Sequence, residues 1–406
     1  MRLTRCLLSL LVLAGLSPAM AQTKSDDTKV VVFSRHTFRG VTPFIGPKPL
    51  SLPIKATVPV LSYSMEASPR GLEVARQFGS DGLNRAAALA LKGLGRKFDG
   101  RWDEIRADLS CSRNFFTGLY LRKGFQAAHK GPVLLTGCPT RESQGVDAVT
   151  MGSVARRHIS GDEMQRLRAA SPNQERMRKA GESLLNELGA AIGAKGPFTM
   201  PAMDAHSLDP AYGQLVELAS SIEMTADVGP PVERLFPQAP KATVRKHQAA
   251  VVRKASDYLG MTFAATIPME AACVCSVVPL EFMNATAPGR RVVAVSHDDD
   301  VSSLCRALGL IADDGKLEDL AIYPLESIVF ALSPSHVRVT RMRIHVGHDG
   351  QMPGPFDVSL LWDGSRAAWD KKVQSVVERA NGWTAAAAAR AEVHLLPAQR
   401  LDVLEP

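Results

Sequence analysis

The chain lacks most of the features that would place it outside the ordinary globular class. It has no long biased tract and no repeat of fixed period, which excludes fibrous, low-complexity and solenoid architectures. Beyond its first residues no apolar run reads as a transmembrane helix. Zinc-ligand spacing is missing too, because Cys273-x-Cys275 has no second pair to complete a set, and no metal site is expected. Aromatic residues are only 6% of the chain, and the basic residues behind the formal net charge of +7 are dispersed without aromatic interleaving. That argues against a nucleic-acid partner and leaves small anionic substrates as the milder inference. What remains is a 406-residue chain with 45% apolar and 22% charged residues, enough for one large domain with an inserted second one, or for two ordinary domains.

The N-terminus differs from the rest. Arg2 and Arg5 precede an apolar run from Cys6 to Leu16, and Ser17-Pro18-Ala19-Met20-Ala21 leads to Gln22. This is the pattern of a signal peptide over residues 1–21, cleaved after Ala21, with an apolar run too short to span a bilayer. The mature chain is expected in the periplasm or outside the cell, without a membrane anchor. Cleavage removes Cys6 and leaves Cys111, Cys138, Cys273, Cys275 and Cys305, an odd set that forces a free thiol or an intermolecular pair. Cys111 and Cys138 each follow an expected strand and are the leading candidates for a bridge. All five read as structural.

The run Lys29 to Phe33 is short, β-rich and apolar, as buried strands of parallel sheets are, and it ends at Ser34-Arg35-His36. Thr42 to Pro59 reads as a long loop, and Pro69-Arg70-Gly71 opens a helical pattern towards Leu94. Then come an expected strand from Ile105 to Leu109, a helix from Arg113 to Ala128 and a strand from Val133 to Thr136. Such alternation implies a parallel sheet covered by helices. From Gly152 to Phe282 helical periodicity takes over, notably Gly161 to Ala194, Tyr212 to Asp227 and Thr243 to Leu259, as in an inserted helical domain. The sheet resumes at Arg291 to Val295, followed by Ser296-His297-Asp298 and a helix to Leu310. Ile328 to Trp362 reads as two or three antiparallel strands closing the sheet edge, and the Ala-rich Thr384 to Glu392 as a helix by propensity.

Open α/β sheets place ligands at the carboxyl ends of their strands. There this chain carries Arg35-His36-Thr37-Phe38-Arg39, Ser112-Arg113-Asn114 and His297-Asp298. Planar Arg forks match phosphate oxygens, and a His beside them can act as nucleophile. Arg35, Arg39 and Arg113 suit the stabilisation of a transferring phosphoryl group, and Asp298 is the available proton donor to a leaving group. Thr42 follows this segment closely and is a candidate pocket-lining residue. A second His-Asp pair, His348-Asp349, is followed by the turn sequence Gly350-Gln-Met-Pro-Gly-Pro rather than a helix and is assigned to a solvated hairpin loop. His158, His206 and His247, in or near the helical stretch, read as surface residues. The Glu223-Met224 region is a candidate cleft wall without one residue singled out.

Four ordered motifs, VVVFSRHTFRGVTP, PRG at Pro69 to Gly71, SRNFFTG at Ser112 to Gly118 and VAVSHDDD at Val293 to Asp300, resemble the histidine acid phosphatases, whose exported bacterial branch includes phytases and glucose-1-phosphatases. The resemblance implies a phosphorylated His36, phosphate binding by Arg35, Arg39, Arg113 and His297, and proton donation by Asp298, with neither metal nor cofactor. It implies a phosphoglycerate-mutase-like α/β fold, a mostly parallel sheet with helices on both faces plus a mainly helical insert. Residues 22–150 and 283–406 would form the α/β domain and 151–282 the helical cap.

The chain departs from the family pattern at Thr37, where Gly is usual after the nucleophile, at Val41 in place of Pro, and at Asp299 and Asp300 after the His-Asp pair. An extra carboxylate near the pocket would repel a highly anionic substrate, so the expectation leans away from a dedicated phytase. A phosphatase of narrower specificity, of phytase or glucose-1-phosphatase type, is one alternative reading. A periplasmic phosphate-ester binder that has lost turnover on the same scaffold is the other.

Overall fold

A computed structural model describes residues 27–38, 67–107, 112–129, 131–137, 170–202, 210–224, 231–344 and 356–390. The signal segment, Arg39, Val41, Thr42, Cys111, Cys138, His158, His206, His348 and Asp349 lie outside the described residues.

Strand β1 (Lys29–Arg35) forms as its apolar run demands, buried along its whole length. With β2 (Glu104–Ala107), β3 (Leu134–Gly137) and β4 (Arg291–Ser296) it makes the parallel part of a seven-stranded sheet of order β3-β2-β4-β1-β5-β6-β7. The antiparallel strands β5 (Ser327–Leu332), β6 (His336–Ile344) and β7 (Phe356–Ser365) complete it. Rather than closing an edge, they extend the sheet from β1. Strand β1 therefore lies inside, hydrogen-bonded to β4 on one flank and β5 on the other.

Side chains alternate across a strand, and β1 divides its residues accordingly. Val30 and Val32 face a layer made of α1 (Pro69–Gln77), α2 (Leu83–Gly93) and α3 (Ser112–Ala128), with a π-helical turn, Phe78–Gly82, joining the first two. Val31 and Phe33 face the other layer, which contains α4 (Gln174–Ile192), α5 (Pro210–Met224), α6 (Pro231–Leu235), α7 (Lys241–Thr266), α8 (Met269–Ala285) and α9 (Asp298–Ala307). The described residues between β3 and β4 contain no strand, and their helices share one hydrophobic cluster with this face of the sheet. After the short α10 (Leu317–Leu320), the last helix α11 (Arg366–Arg390) starts well before the Ala-rich stretch. It lays Trp369, Val373, Val376 and Ala380 onto the same cluster, Trp369 at 5.8 Å from Phe330. Burying a side chain of this size stabilises by about 1.5–3 kcal/mol.

Cys273 and Cys275 of α8 and Cys305 of α9 are buried and not bridged to one another. Burial pushes the Cys305 thiol up to about 12, as for a packing group. Among the described residues no single helix is long and apolar enough to cross a membrane.

Candidate active site

The parallel register of β1 and β4 pairs Arg35 with Ser296, so the residues that follow, His36 and His297, emerge side by side at the carboxyl ends of two adjacent strands. The His36 amide donates to the Ser296 carbonyl at 2.9 Å, and the two imidazoles meet edge to face at 5.3 Å between centroids. From the β5 side, Leu325 donates its amide to the His36 carbonyl at 3.2 Å. Leu325 does so with φ of 60°, a left-handed conformation rare for a branched side chain, while its side chain is buried in the core.

His36 is 2% exposed. Its Nδ1 lies 2.7 Å from the Thr37 carbonyl, which can only accept, so Nδ1 carries the hydrogen and Nε2 the lone pair. Nε2 in turn accepts from Nε of Arg113 at 3.2 Å. Burial, then the neighbouring His297, Arg113 and Arg35, hold the imidazole well below the usual histidine range, with the Thr37 carbonyl acting weakly the other way. A neutral ring with its lone pair towards a guanidinium has the chemistry a nucleophile needs beside a bound anion.

Arg113 arrives from the first turn of α3. Its Nη2 lies 3.4 Å from His297 Nδ1, and the buried Asn114 amide lies 3.2 Å from His297 Nε2. Arginine only donates, so Nδ1 accepts and Nε2 bears the hydrogen. The atom of Asn114 that lies against Nε2 is Nδ2, while its Oδ1 is buried without a partner, so turning the amide over would give both Oδ1 and the Nε2 hydrogen a match. Gly118, one turn further along, lets α3 sit close on β2, since a Cβ there would approach the side chains of Leu135 and Ala107 to 3.1 and 3.2 Å.

Thr37, the departure next to His36, is buried, and its side chain points away from the imidazole to the Gly71 carbonyl. Its hydroxyl donates to the Gly71 carbonyl at 2.6 Å and its amide to Thr117 Oγ1 at 3.0 Å. The Pro69-Arg70-Gly71 turn is capped by Ser68, whose Oγ accepts from the Gly71 amide at 2.9 Å, and the Ser68 amide donates to the Phe38 carbonyl at 3.0 Å.

Arg35 and His36, adjacent in sequence, leave the strand on opposite faces. Arg35 is 1% exposed and faces the helical layer, where Nη1 meets Glu223 of α5 at 2.8 Å and donates to the Ile322 carbonyl, while Nη2 meets Asp298 at 2.7 Å. Burial alone would lower the basicity of the guanidinium, but Asp298, Glu223 and Glu326 outweigh it and raise it. Burial likewise pushes the Glu223 carboxyl up against the pull of Arg35.

Asp298 opens α9 and is about one-fifth exposed at its side chain. Asp300 turns inward, accepting from Ser296 Oγ at 2.5 Å and from the His297 amide at 3.3 Å, and so fixes the backbone of His297 from below. Of the two expected extra carboxylates, only Asp299 remains half-buried at the surface of the helix start.

The structure thus brings together Arg35, His36, Arg113, His297 and Asp298, and adds Asn114 and Glu223. His247 is remote from this chemistry, paired with Glu187 at 2.8 Å. Among the described residues no group of three or more His, Cys, Asp or Glu side chains could hold a metal ion.

The mixed seven-stranded sheet with its flanking helices matches the fold of solved bacterial phytases. Among solved structures the chain is similar to the phytase of Klebsiella sp ASR1, with a TM-score of 0.60 and 13% identity over 88% of this chain and 96% of that one. It is also similar to the phytase of Citrobacter braakii, at 0.58 and 15% over 87% and 98%. Hafnia alvei phytase in complex with myo-inositol hexakis sulphate matches at 0.60 and 14% over 87% and 97%. No protein-family model and no curated protein matches the sequence. At such identities the likeness establishes the fold.

Proposed function

We propose that the chain is an exported acid phosphatase that hydrolyses phosphate monoesters through a phosphohistidine at His36. The observation that carries the reading is the pair of contacts on the buried His36 ring, Nδ1 at 2.7 Å from the Thr37 carbonyl and Nε2 at 3.2 Å from Arg113 Nε, which together assign the lone pair to Nε2. In the proposed cycle Nε2 attacks phosphorus, the bond from phosphorus to the ester oxygen breaks, and that oxygen takes a proton from Asp298. Water then attacks the phosphohistidine, its proton returns to Asp298, and inorganic phosphate leaves with His36 restored. Charge on the equatorial oxygens is met by Arg35, Arg113 and His297.

Arg39 enters as a further phosphate arginine, by resemblance, and Thr42 as a pocket-lining hydroxyl, because it follows the His36 segment closely. Residues 22–150 and 283–406 are proposed as the catalytic α/β part, and the helices of 151–282 as the wall that meets the leaving group. The signal segment supports export to the periplasm or beyond, and the dispersed charge supports a small phosphorylated substrate rather than nucleic acid or a membrane surface.

The test is a series of aryl and alkyl phosphates at acid pH. His36→Ala should abolish turnover, and Asp298→Asn should slow esters of poor leaving groups far more than those of good ones. Equal slowing by Asp298→Asn across the series would remove Asp298 from the role of acid. Turnover without His36 would remove the mechanism.

A further inference from the structure

Glu223 joins the helical layer to the nucleophile strand. It sits in the last turn of α5, 3% exposed, with Oε1 accepting from Ser256 of α7 at 2.9 Å and Oε2 at 2.8 Å from Arg35 Nη1. The same Nη1 donates to the Ile322 carbonyl. The opposite nitrogen, Nη2, meets only the partly exposed Asp298 among the carboxylates that pair with Arg35. One end of the guanidinium is therefore held by groups packed in the interior, and the other by the carboxylate nearest to solvent.

This inequality decides what an arriving anion can displace. Glu223 is fixed by Ser256 and by burial, so an ester cannot move it without unpacking α5 from α7. Asp298 lies at the open end of a helix start and can turn away. We propose that Glu223 is a positioning residue for phosphate binding: it anchors Arg35 through Nη1 so that Nη2, which meets Asp298 at 2.7 Å, is presented to the phosphoryl group. The inference rests on the reading of this cluster as a phosphate site.

Two consequences follow from the geometry. Phosphate binding displaces the Asp298 carboxyl from Arg35 and leaves it for the ester oxygen, so occupancy of the site and delivery of the acid are one movement. Without Glu223, Arg35 is free to turn wholly onto Asp298, and phosphate then has to break an unshared ion pair.

The experiment is calorimetric binding of inorganic phosphate to the full chain at pH 5, with thermal melts as the check on folding. Glu223→Ala should weaken binding by about tenfold or more, the scale of losing one buried charge that orients Arg35. Glu223→Gln keeps an oxygen for Nη1 and should restore binding to within about threefold of the parent, a rescue that a space-filling role alone would not distinguish by charge and geometry. Ser256→Ala, a smaller change that frees Glu223 Oε1, should fall between the parent and Glu223→Ala, and serves if the alanine at 223 does not fold. Unchanged phosphate affinity in a folded Glu223→Ala, or in Ser256→Ala where that is the variant that folds, overturns the inference alone. A parent chain that binds no phosphate overturns the phosphate-site reading and the inference with it.

Discussion

The imidazole of His36 is kept neutral by burial among cations, and this bears on the pH at which it can work. On the proposed mechanism the nucleophile is lost only when Nε2 takes a proton, and for this ring that happens well below the usual histidine range, because burial and then His297, Arg113 and Arg35 oppose the added charge. As pH falls through about 6.5, the ordinary value, His36 should stay unprotonated. The expected outcome is that kcat/KM for an aryl phosphate shows no loss on going from pH 7 to pH 5, with the limb for nucleophile protonation lying further into acid. A limb centred near the ordinary histidine value would show that the imidazole is not held as described.

At the scale of elements, the turn at Pro69 to Gly71 braces the segment that follows His36. A Cβ at Gly71 would come within 2.8 Å of Ser68 Oγ, 2.9 Å of Phe38 Cβ and 3.0 Å of the Phe38 carbonyl. Phe38 must therefore move if the glycine is replaced, and the hydrogen bond from Thr37 to Gly71 moves with it. Gly71→Ala should cost about 1–3 kcal/mol of stability, the range for overpacking a tight site, and should lower kcat as well. Thermal melts alongside initial rates check both. The sequence marks the turn by its residues but not this dependence, since close approach between segments thirty residues apart has no local signature.

Elements with period in their pattern were the ones legible beforehand. The β1 run and the polar tips after β1 and β4 could be read because a buried strand is apolar throughout and its end is not. Helix α8 was not distinguishable as an element of its own: it is buried nearly all round, so its apolar residues carry no face, and Pro279 interrupts the expected pattern. The start of α11 did carry a signal, in Trp369, Val373, Val376 and Ala380 at helical spacing, which the alanine-rich end obscured. Alternation along β1 also holds information that pooling Arg35 and His36 into one polar cluster discards. Adjacent residues of a strand face opposite layers, and that is why Arg35 meets Glu223 of α5 while His36 meets Arg113 of α3. The Glu223-Met224 region reads as a cleft wall from the sequence, but the pairing of Glu223 with Arg35 has no sequence signal, because the partner is long-range and on a different element. Asn114 did, as a polar residue next to an inward-facing arginine.

The whole molecule is a sheet whose two faces contribute different parts of one site. The layer of α1, α2 and α3 supplies Arg113 and Asn114 to the imidazoles, and the layer on the other face supplies Glu223 to Arg35. The strands between them set the spacing, through the register that puts His36 beside His297. Sheet topology was legible as far as β/α alternation goes. The interior place of β1 was not, since it depends on three antiparallel strands drawn from the far end of the chain.

The most direct measurement is rapid acid-free quenching of the chain during turnover of a phosphate ester labelled at phosphorus, followed by peptide mapping under alkaline conditions that preserve phosphohistidine. The account expects label on the peptide containing His36, decaying as inorganic phosphate is released and missing in His36→Ala. Turnover at full rate with no labelled histidine, or with the label on another residue, would contradict it.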